Sequence, residues 1–252
     1  MAKWLDRFRP VACRVASVAT EVLDWIYPGH CDSCGKATAS GEAMCSPCRG
    51  AIPGLREPYC ETCGDHFDGA IEGGFACANC RGQTFSFEFA RPGVPRSDQA
   101  MELVRSLKYG RKLYVAGELA RFAERAFHDP RLQHMRLEGW PLVPVPLHWR
   151  RQRWRQFNQA MEMARPLGSL VGLPVVDLLK RVRPTVTQTR LTRSQRQKNL
   201  RGAFEVKGPV PQVPGVILVD DVFTTGSTVN ECSRILRRAG VQKVVVVTAM
   251  RG

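Results

Sequence analysis

The run Val216-Ile-Leu-Val-Asp-Asp-Val-Phe-Thr-Thr-Gly-Ser-Thr228 constrains the fold more than any other part of this chain. Apolar β-formers lead into two acids, then into a turn of small hydroxylated residues. A helix-forming segment follows from Thr228 to Ala239, and Gly240 closes it. An uninterrupted apolar run reads as a strand buried on both faces, as in a parallel sheet. Ligands of such α/β sheets sit at the carboxyl ends of the strands. Thr224, Thr225, Gly226, Ser227 and Thr228 place hydroxyls and backbone N–H groups at a helix start. Unpaired donors and the positive end of the helix dipole favour an anion there. Asp220 and Asp221 repel a phosphate, but they accept hydrogen bonds from sugar hydroxyls or hold Mg²⁺. Acids for a ribose beside donors for its phosphate imply a ribose 5-phosphate ligand. The plain alternative, a strand followed by an ordinary turn with solvated acids, leaves the patterned loop unexplained.

This stretch resembles the signature with which type I phosphoribosyltransferases bind 5-phosphoribosyl-1-pyrophosphate (PRPP). The resemblance covers the hydrophobic run, the acid pair and Thr-Thr-Gly-x-Thr together.

A second signal lies upstream. Eight of the ten cysteines form four Cys-x-x-Cys pairs, Cys31/Cys34, Cys45/Cys48, Cys60/Cys63 and Cys77/Cys80. Two thiolates at that spacing face one tetrahedral ion from a single turn, and two such pairs complete a Cys₄ zinc site. Gly35 and Gly64 follow the first and third pairs, as tight metal knuckles require. Disulfides would need an oxidising compartment, and no secretion signal is evident. The simplest ligation is sequential, Cys31, Cys34, Cys45 and Cys48 on one Zn²⁺ and the other four on a second, although an interleaved set also fits the spacing. His30 and His66 read as bystanders, because each would displace a cysteine from a complete set. Closed ligand sets leave no water position, so both ions are expected to be structural. Tyr59, Phe67 and Phe75 with Arg49, Arg56 and Arg81 could stack and pair with a nucleic-acid strand, but covering the ribbon core is the simpler role. Cys13 and Cys232 stand alone and read as small buried residues.

The formal net charge is +14 and the pI about 9.8, which favours anionic partners. Eight thiolates and two Zn²⁺ ions together subtract four charges, so about +10 survives metal loading. Apolar residues make up 44% of the chain, enough for one α/β core beside a small module. Val11, Val15, Val18, Val22 and Ile26 recur at helical spacing, while Arg14, Glu21 and Asp24 interrupt the segment. That pattern predicts an amphipathic N-terminal helix rather than a membrane span, with a cytoplasmic location as the default.

The rest of the chain supplies elements around the signature. Phe85, Phe87 and Phe89 alternate with polar residues and predict a strand. Ser97 or Asp98 caps a helix reaching Tyr109, with Met101, Val104, Arg105 and Lys108 in helical register, and a second helix runs from about Leu113 to Phe127. Pro141 to Pro146 reads as an edge strand, because proline cannot donate to a ladder. It leads into Arg150, Arg151, Arg153 and Arg155, a cluster suited to a pyrophosphate or a nucleic-acid backbone, or else the solvated start of a basic helix. A helix then runs from Phe157-Asn158-Gln159 to about Leu170, ended by Gly172. Lys180 to Gly202 holds eight cations and no acids, and reads as a flexible basic loop, a lid over a polyanion or a nucleic-acid arm. Lys243 to Thr248 closes the sheet as a parallel strand.

Taken together the chain resembles the ComF family of competence-associated proteins over nearly its whole length. The cysteine array precedes Leu107-Lys-Tyr109, and Val-Pro-Val-Pro146 precedes the arginines and Phe157-Asn158-Gln159. Thr185-x-x-Gln188-x-x-Leu191 precedes Arg196-x-x-Asn199 and Gly202-Ala-Phe204, and the PRPP signature ends the series. The resemblance implies an α/β phosphoribosyltransferase-like parallel sheet flanked by helices, over residues 83–252. It also implies a double zinc ribbon over 29–82, after the N-terminal helix of 1–28. It further implies a pyrophosphate loop after Pro146 and a mobile hood over 181–201, which offers Arg190 and Arg196 as catalytic candidates. Asp220 and Asp221 would take the ribose hydroxyls, and Thr224 to Thr228 the 5-phosphate, with Mg²⁺ on the PRPP. Two departures stand out. Gln156 occupies a position where family members usually carry glycine. Thr224 stands where purine-salvage transferases carry an acid, which argues against a hypoxanthine or guanine acceptor. Two functions follow from the resemblance: phosphoribosyl transfer from Mg-PRPP to an acceptor, or non-catalytic handling of single-stranded DNA during uptake, beside a competence helicase.

Overall fold

The computed structural model describes residues 29–252 apart from 40, 70, 72 and 185–198. The N-terminal helix expected over 1–28, Cys13, and most of the basic hood with Arg190 and Arg196 lie outside the described residues. The chain divides into two compact units, Met1–Ala51 and Ile52–Gly252.

The described part of the first unit is small. Strands β1 (Gly29–His30) and β2 (Ala37–Thr38) form an antiparallel pair, and helix α1 (Ser46–Ala51) follows. Ala43, Met44 and Cys31 are its buried apolar residues. Among the described residues this is little buried apolar surface, the setting in which a small ribbon draws on its metal.

The second unit is built on a four-stranded parallel sheet of order β3-β8-β7-β4: β3 (Ala90–Val94), β4 (Leu142–Pro144), β7 (Val216–Phe223) and β8 (Val244–Arg251). All three ladders are parallel, with Leu142 beside Ile217, Val219 beside Val247, and Ala90 beside Val246. The two central strands, β7 and β8, are the most continuously apolar, as burial on both faces demands. The prolines fall where the ladder tolerates them, Pro144 on edge strand β4 and Pro92 on edge strand β3.

Helices α2 (Asp98–Gly110), α3 (Val115–Glu124), α4 (Pro130–His134), α5 (Trp149–Arg155), α6 (Gln159–Val171) and α7 (Ser227–Arg238) flank the sheet. Ser97 caps α2 by accepting from the Ala100 N–H at 3.2 Å, and Asn158 caps α6 in the same way through Ala160. Gly172 takes the left-handed conformation that ends α6. Between α6 and β7, strands β5 (Leu179–Arg181) and β6 (Phe204–Val206) form an antiparallel pair from which the basic segment extends.

Three expectations differ from what is found. The strand begins at Ala90, after the phenylalanines rather than on them. Phe87 and Phe89 are buried as their alternation requires, but Glu88 N–H to Val244 O and Val246 N–H to Phe89 O are the rungs that reach this segment, where β8 is only beginning. Phe85 and Phe87 stack at 4.8 Å, and Phe87 meets Phe223 edge-on, so the rings serve packing. Second, the segment after Pro146 forms a helix, α5, capped by His148, whose Nδ1 accepts from the Arg150 N–H. Third, the second helix, expected to reach about Phe127, ends at Glu124, and Asp129 then caps α4. No helix among the described residues is long and apolar enough to cross a membrane.

Candidate functional site

The carboxyl end of β7 delivers Asp220 and Asp221 to a cavity of about 350 Å³. Asp220, Asp221, Val222, Thr224 and Thr228 line one side, and Lys108, Tyr109, Arg151, Arg155, Gln159 and Arg181 line the others. Thr225, Gly226 and Ser227 form the turn between them and the helix. Gly226 sits at φ 74°, and a Cβ there would lie 2.7 Å from the Phe223 ring, so the turn needs glycine. Helix α7 starts at Gly226 without a side-chain cap, so its first N–H groups suit an incoming anion. The Thr225 and Ser227 hydroxyls are 2.9 Å apart at the same turn.

The acid pair is electrostatically loaded. Lys108 Nζ lies 2.7 Å from Asp221 Oδ2. Burial, followed by the Asp221 charge, pushes Asp220 up to about 8, with Lys108 working against both. Burial opposes the Lys108 charge, but Asp221 and then Asp220 outweigh it and raise its pKa. Burial lowers Arg155, and it lowers Arg181 with Arg151 adding to the effect. Holding these cations against their desolvation cost favours an anion opposite them.

The four clustered arginines do not act together. Arg155 is buried, donates to Gln159 Oε1 at 3.0 Å and lies over the Tyr109 ring, and its buried Nε makes no hydrogen bond. Arg151 joins it at the cavity wall, whereas Arg150 and Arg153 are exposed on α5 away from the lining. The helical repeat explains the split, since residues four apart share a face. Gln156 ends α5 at φ 73°, a left-handed conformation in which glycine would be relaxed.

The cysteines gather in sequential order. The sulfurs of Cys31, Cys34, Cys45 and Cys48 lie within 4.8 Å of one another, as do those of Cys60, Cys63, Cys77 and Cys80. Cys34–Cys45 and Cys63–Cys77 sulfur distances are 3.7 and 3.6 Å. A tetrahedral Zn²⁺ with four sulfurs at its usual bond length sets them about 3.8 Å apart, so both sets fit the ion. Each knuckle closes with a glycine N–H donating to the first cysteine's carbonyl at 2.8 Å, Gly35 to Cys31 and Gly64 to Cys60. Burial opposes ionisation of Cys31, but the N–H groups of Cys45, Cys34 and Ser33 bring its thiol down to about 6. Hydrogen bonds from Cys63 and Cys80 hold Cys60 far below the usual thiol range. Cys232 is buried on α7, outside both sets.

Known protein families match two parts of the chain. Residues 22–81 match the double zinc ribbon domain, and residues 158–252 match the phosphoribosyl transferase domain. Competence protein F of Haemophilus influenzae is 31% identical over 220 residues, covering 86% of this chain and 93% of that one. The chain belongs to the ComF family. Other relatives are called DNA utilization protein YhgH. The Salmonella typhi protein is 34% identical over 87% of this chain and 95% of its own, and the Escherichia coli K12 protein 31% identical over 94% and 95%.

Sequence reasoning named the β7–α7 half of this ComF cavity and missed much of the opposite wall. Lys108, Tyr109 and Gln159 were not singled out as ligand-facing, whereas Arg181 was expected only as the start of the hood. Met101, Val104 and Lys108 stand in one helical register, and all three line the cavity. The register was legible; that this face borders the acids was not. The ribbon aromatics are engaged in packing. Arg91 lies 4.4 Å over the Tyr59 ring, and Phe67 meets Phe75 edge-on at 5.5 Å.

Proposed function

We propose that this ComF protein binds Mg-PRPP in the cavity at the end of β7 and transfers its phosphoribosyl group to an acceptor, in the cytoplasmic handling of DNA. One observation carries the reading: acids, an uncapped helix start and a cationic wall line a single cavity of ribose-phosphate size. Asp220 and Asp221 accept from the ribose hydroxyls. The turn from Thr224 to Thr228 takes the 5-phosphate through its N–H groups and hydroxyls. Arg151, Arg155 and Arg181 face the pyrophosphate, and Lys108 is released from Asp221 as the sugar arrives. A bound Mg²⁺ neutralises charge on the pyrophosphate. Arg190 and Arg196, outside the described residues, are the catalytic candidates.

Titration calorimetry with Mg-PRPP tests this directly. Asp220→Asn with Asp221→Asn removes two charged acceptors and should weaken binding on the order of a hundredfold or more, with folding intact. Unchanged affinity would remove the ribose role. The reading also fixes a pH dependence. Asp220 carries a proton below about 8 in the free protein and must release it to serve as a full acceptor. Affinity therefore rises with pH towards 8 and levels off above it, and Asp220→Asn flattens the profile. The sign for stability is opposite. Between the unfolded pKa of about 4 and the folded value of about 8, the native chain holds a proton that the unfolded chain has lost, so stability falls as pH rises.

A second reading rests on an exposed surface that shares Tyr109 with the cavity lining. Tyr109 and Trp154 are 64% and 57% exposed with ring centroids 6.4 Å apart, and Arg111 donates to Trp154 O at 2.7 Å. Exposed rings beside arginines suit the bases and phosphates of single-stranded DNA. Oligonucleotide affinity that falls steeply with salt and drops with Trp154→Ala supports this role. A flat salt response removes it.

A further inference from the structure

The second Cys₄ site and the phosphate turn are joined through one side chain, that of Arg251. This residue ends β8 and is 6% exposed. Its Nη1 donates to Phe223 O at 2.8 Å and to Thr224 O at 2.9 Å. These are the carbonyls of the last residue of β7 and the first of the turn. Its Nε forms an ion pair with Asp65 Oδ1 at 3.2 Å. Asp65 belongs to the knuckle itself: it follows Gly64, and its carbonyl accepts from the Cys60 N–H at 2.8 Å. The guanidinium is 5.5 Å from the centre of the Phe223 ring, the ring that fills the space beside Gly226. One buried cation thus touches the knuckle on one side and fixes both carbonyls that aim the turn on the other.

We propose that Arg251 is a positioning residue that couples the second cysteine site to the phosphate turn, so that the turn's order depends on that knuckle. The argument is geometric. A guanidinium has planar, directional donors, and two of its polar contacts set the plane for the others. Zn²⁺ bound by four thiolates would carry net negative charge, which attracts the Arg251 cation, and Arg251 in turn holds Asp65. Without the knuckle, Arg251 keeps its three carbonyl acceptors, Phe223, Thr224 and Gly252, but loses its counter-charge in a buried setting, which is costly. The turn then loses the clamp that presents its N–H groups at one spacing.

The proposal rests on the phosphate role of residues 224–228, so its test reads the turn both with and without ligand. Hydrogen exchange of the amides from Thr224 to Thr228 is compared in the zinc-loaded wild type, Asp65→Asn and Arg251→Lys, with zinc content measured for each. Asp65→Asn removes the ion pair from an accessible residue and should leave two zinc ions bound. Exchange in the turn should rise about tenfold, the loss of one charge-assisted contact. Arg251→Lys keeps the charge but not the paired carbonyl contacts, and should loosen the turn as well. Ribose 5-phosphate affinity should fall by a similar factor in both. Unchanged exchange in both variants overturns the coupling, whatever the ligand data show. Faster exchange in variants of a protein that binds no ribose 5-phosphate would keep the coupling and remove the phosphate reading instead.

Discussion

The two cysteine sites use the same ligands at nearly the same spacing, yet they stand in different physical situations. Cys31, Cys34, Cys45 and Cys48 sit in a small unit, and only Cys31 among them is buried. Cys60, Cys63 and Cys80 are buried in the same apolar cluster as Val143, Leu218 and Val246 of the sheet. The second knuckle is also bonded to that sheet. Ala90 N–H donates to Thr62 O at 2.8 Å, and Arg91, buried on β3, donates to Cys60 O and Glu61 O at 3.3 Å. Asp129 pairs with Arg91 from the other side, and Arg131 lies 3.8 Å over the Phe89 ring while reaching Glu61 O. A repeated motif therefore does not imply a repeated role. The first site holds its own small unit together, and the second is part of the wall of the sheet domain.

The largest expected effect breaks the comparison if it fails. Cys63→Ser removes a buried ligand, and a structural zinc site contributes on the order of 10 kcal/mol to the fold built on it. The sheet unit should lose its cooperative thermal transition or fail to accumulate. Cys45→Ser should lower zinc content from two ions per chain to one and leave the main transition in place. Circular dichroism melts with metal analysis of both variants give the answer, and equal shifts in the two would erase the distinction.

A second measurement isolates the bonds between knuckle and sheet from the metal. Arg91→Met keeps the stem and removes the charge, leaving Asp129 short of its buried partner, while Cys60 O keeps the Gly64 N–H and Glu61 O keeps Arg131. Breaking a buried pair in this way costs about 3–5 kcal/mol, and Arg131, which also pairs with Asp129, holds the loss towards the lower end. Denaturant unfolding of the sheet unit should show it with zinc content unchanged. A loss below about 1 kcal/mol, the worth of a surface pair, would mean that the knuckle merely rests on the strand.

Much of this was legible in the sequence, for identifiable reasons. The β7–α7 signature is local: strand, acids, turn and helix start are consecutive, so residues 216–228 specify both the fold unit and half of the cavity. The cysteine pairs are likewise local. What was not legible depends on contacts far apart in the chain. Nothing near Lys108 in sequence shows that it meets Asp221, and nothing near Arg91 shows that it joins the second knuckle to Asp129. The arginines from 150 to 155 looked like one cluster because sequence proximity hides helical direction. Once α5 forms, Arg151 and Arg155 face inward and Arg150 and Arg153 face out. The alternation at Phe85, Phe87 and Phe89 correctly marked burial but not the strand itself, because ladder bonds need a neighbour and β8 begins only at Val244.

The finest test uses the two knuckle glycines as a matched pair. Gly35 and Gly64 occupy the same position after a Cys-x-x-Cys pair, at φ 72° and 68°. Alanine at either pays the cost of a left-handed backbone, about 1 kcal/mol. Their surroundings then differ. A Cβ on Gly35 meets nothing within 4 Å, whereas one on Gly64 lies 2.5 Å from Pro92 Cδ and 3.1 Å from Arg91 Nη1. Pro92 is held in β3 and cannot swing aside as a flexible side chain would, so overpacking adds about 1–3 kcal/mol at Gly64 alone. Gly35→Ala should weaken only the first site's hold on zinc, by roughly the backbone cost. Gly64→Ala should cost more and should appear in the unfolding of the sheet unit, because the added methyl pushes the strand and not just the knuckle. If both alanines cost the same in that transition, the second knuckle does not bear on the strand, and the shared wall inferred from Arg91 and Arg251 is wrong.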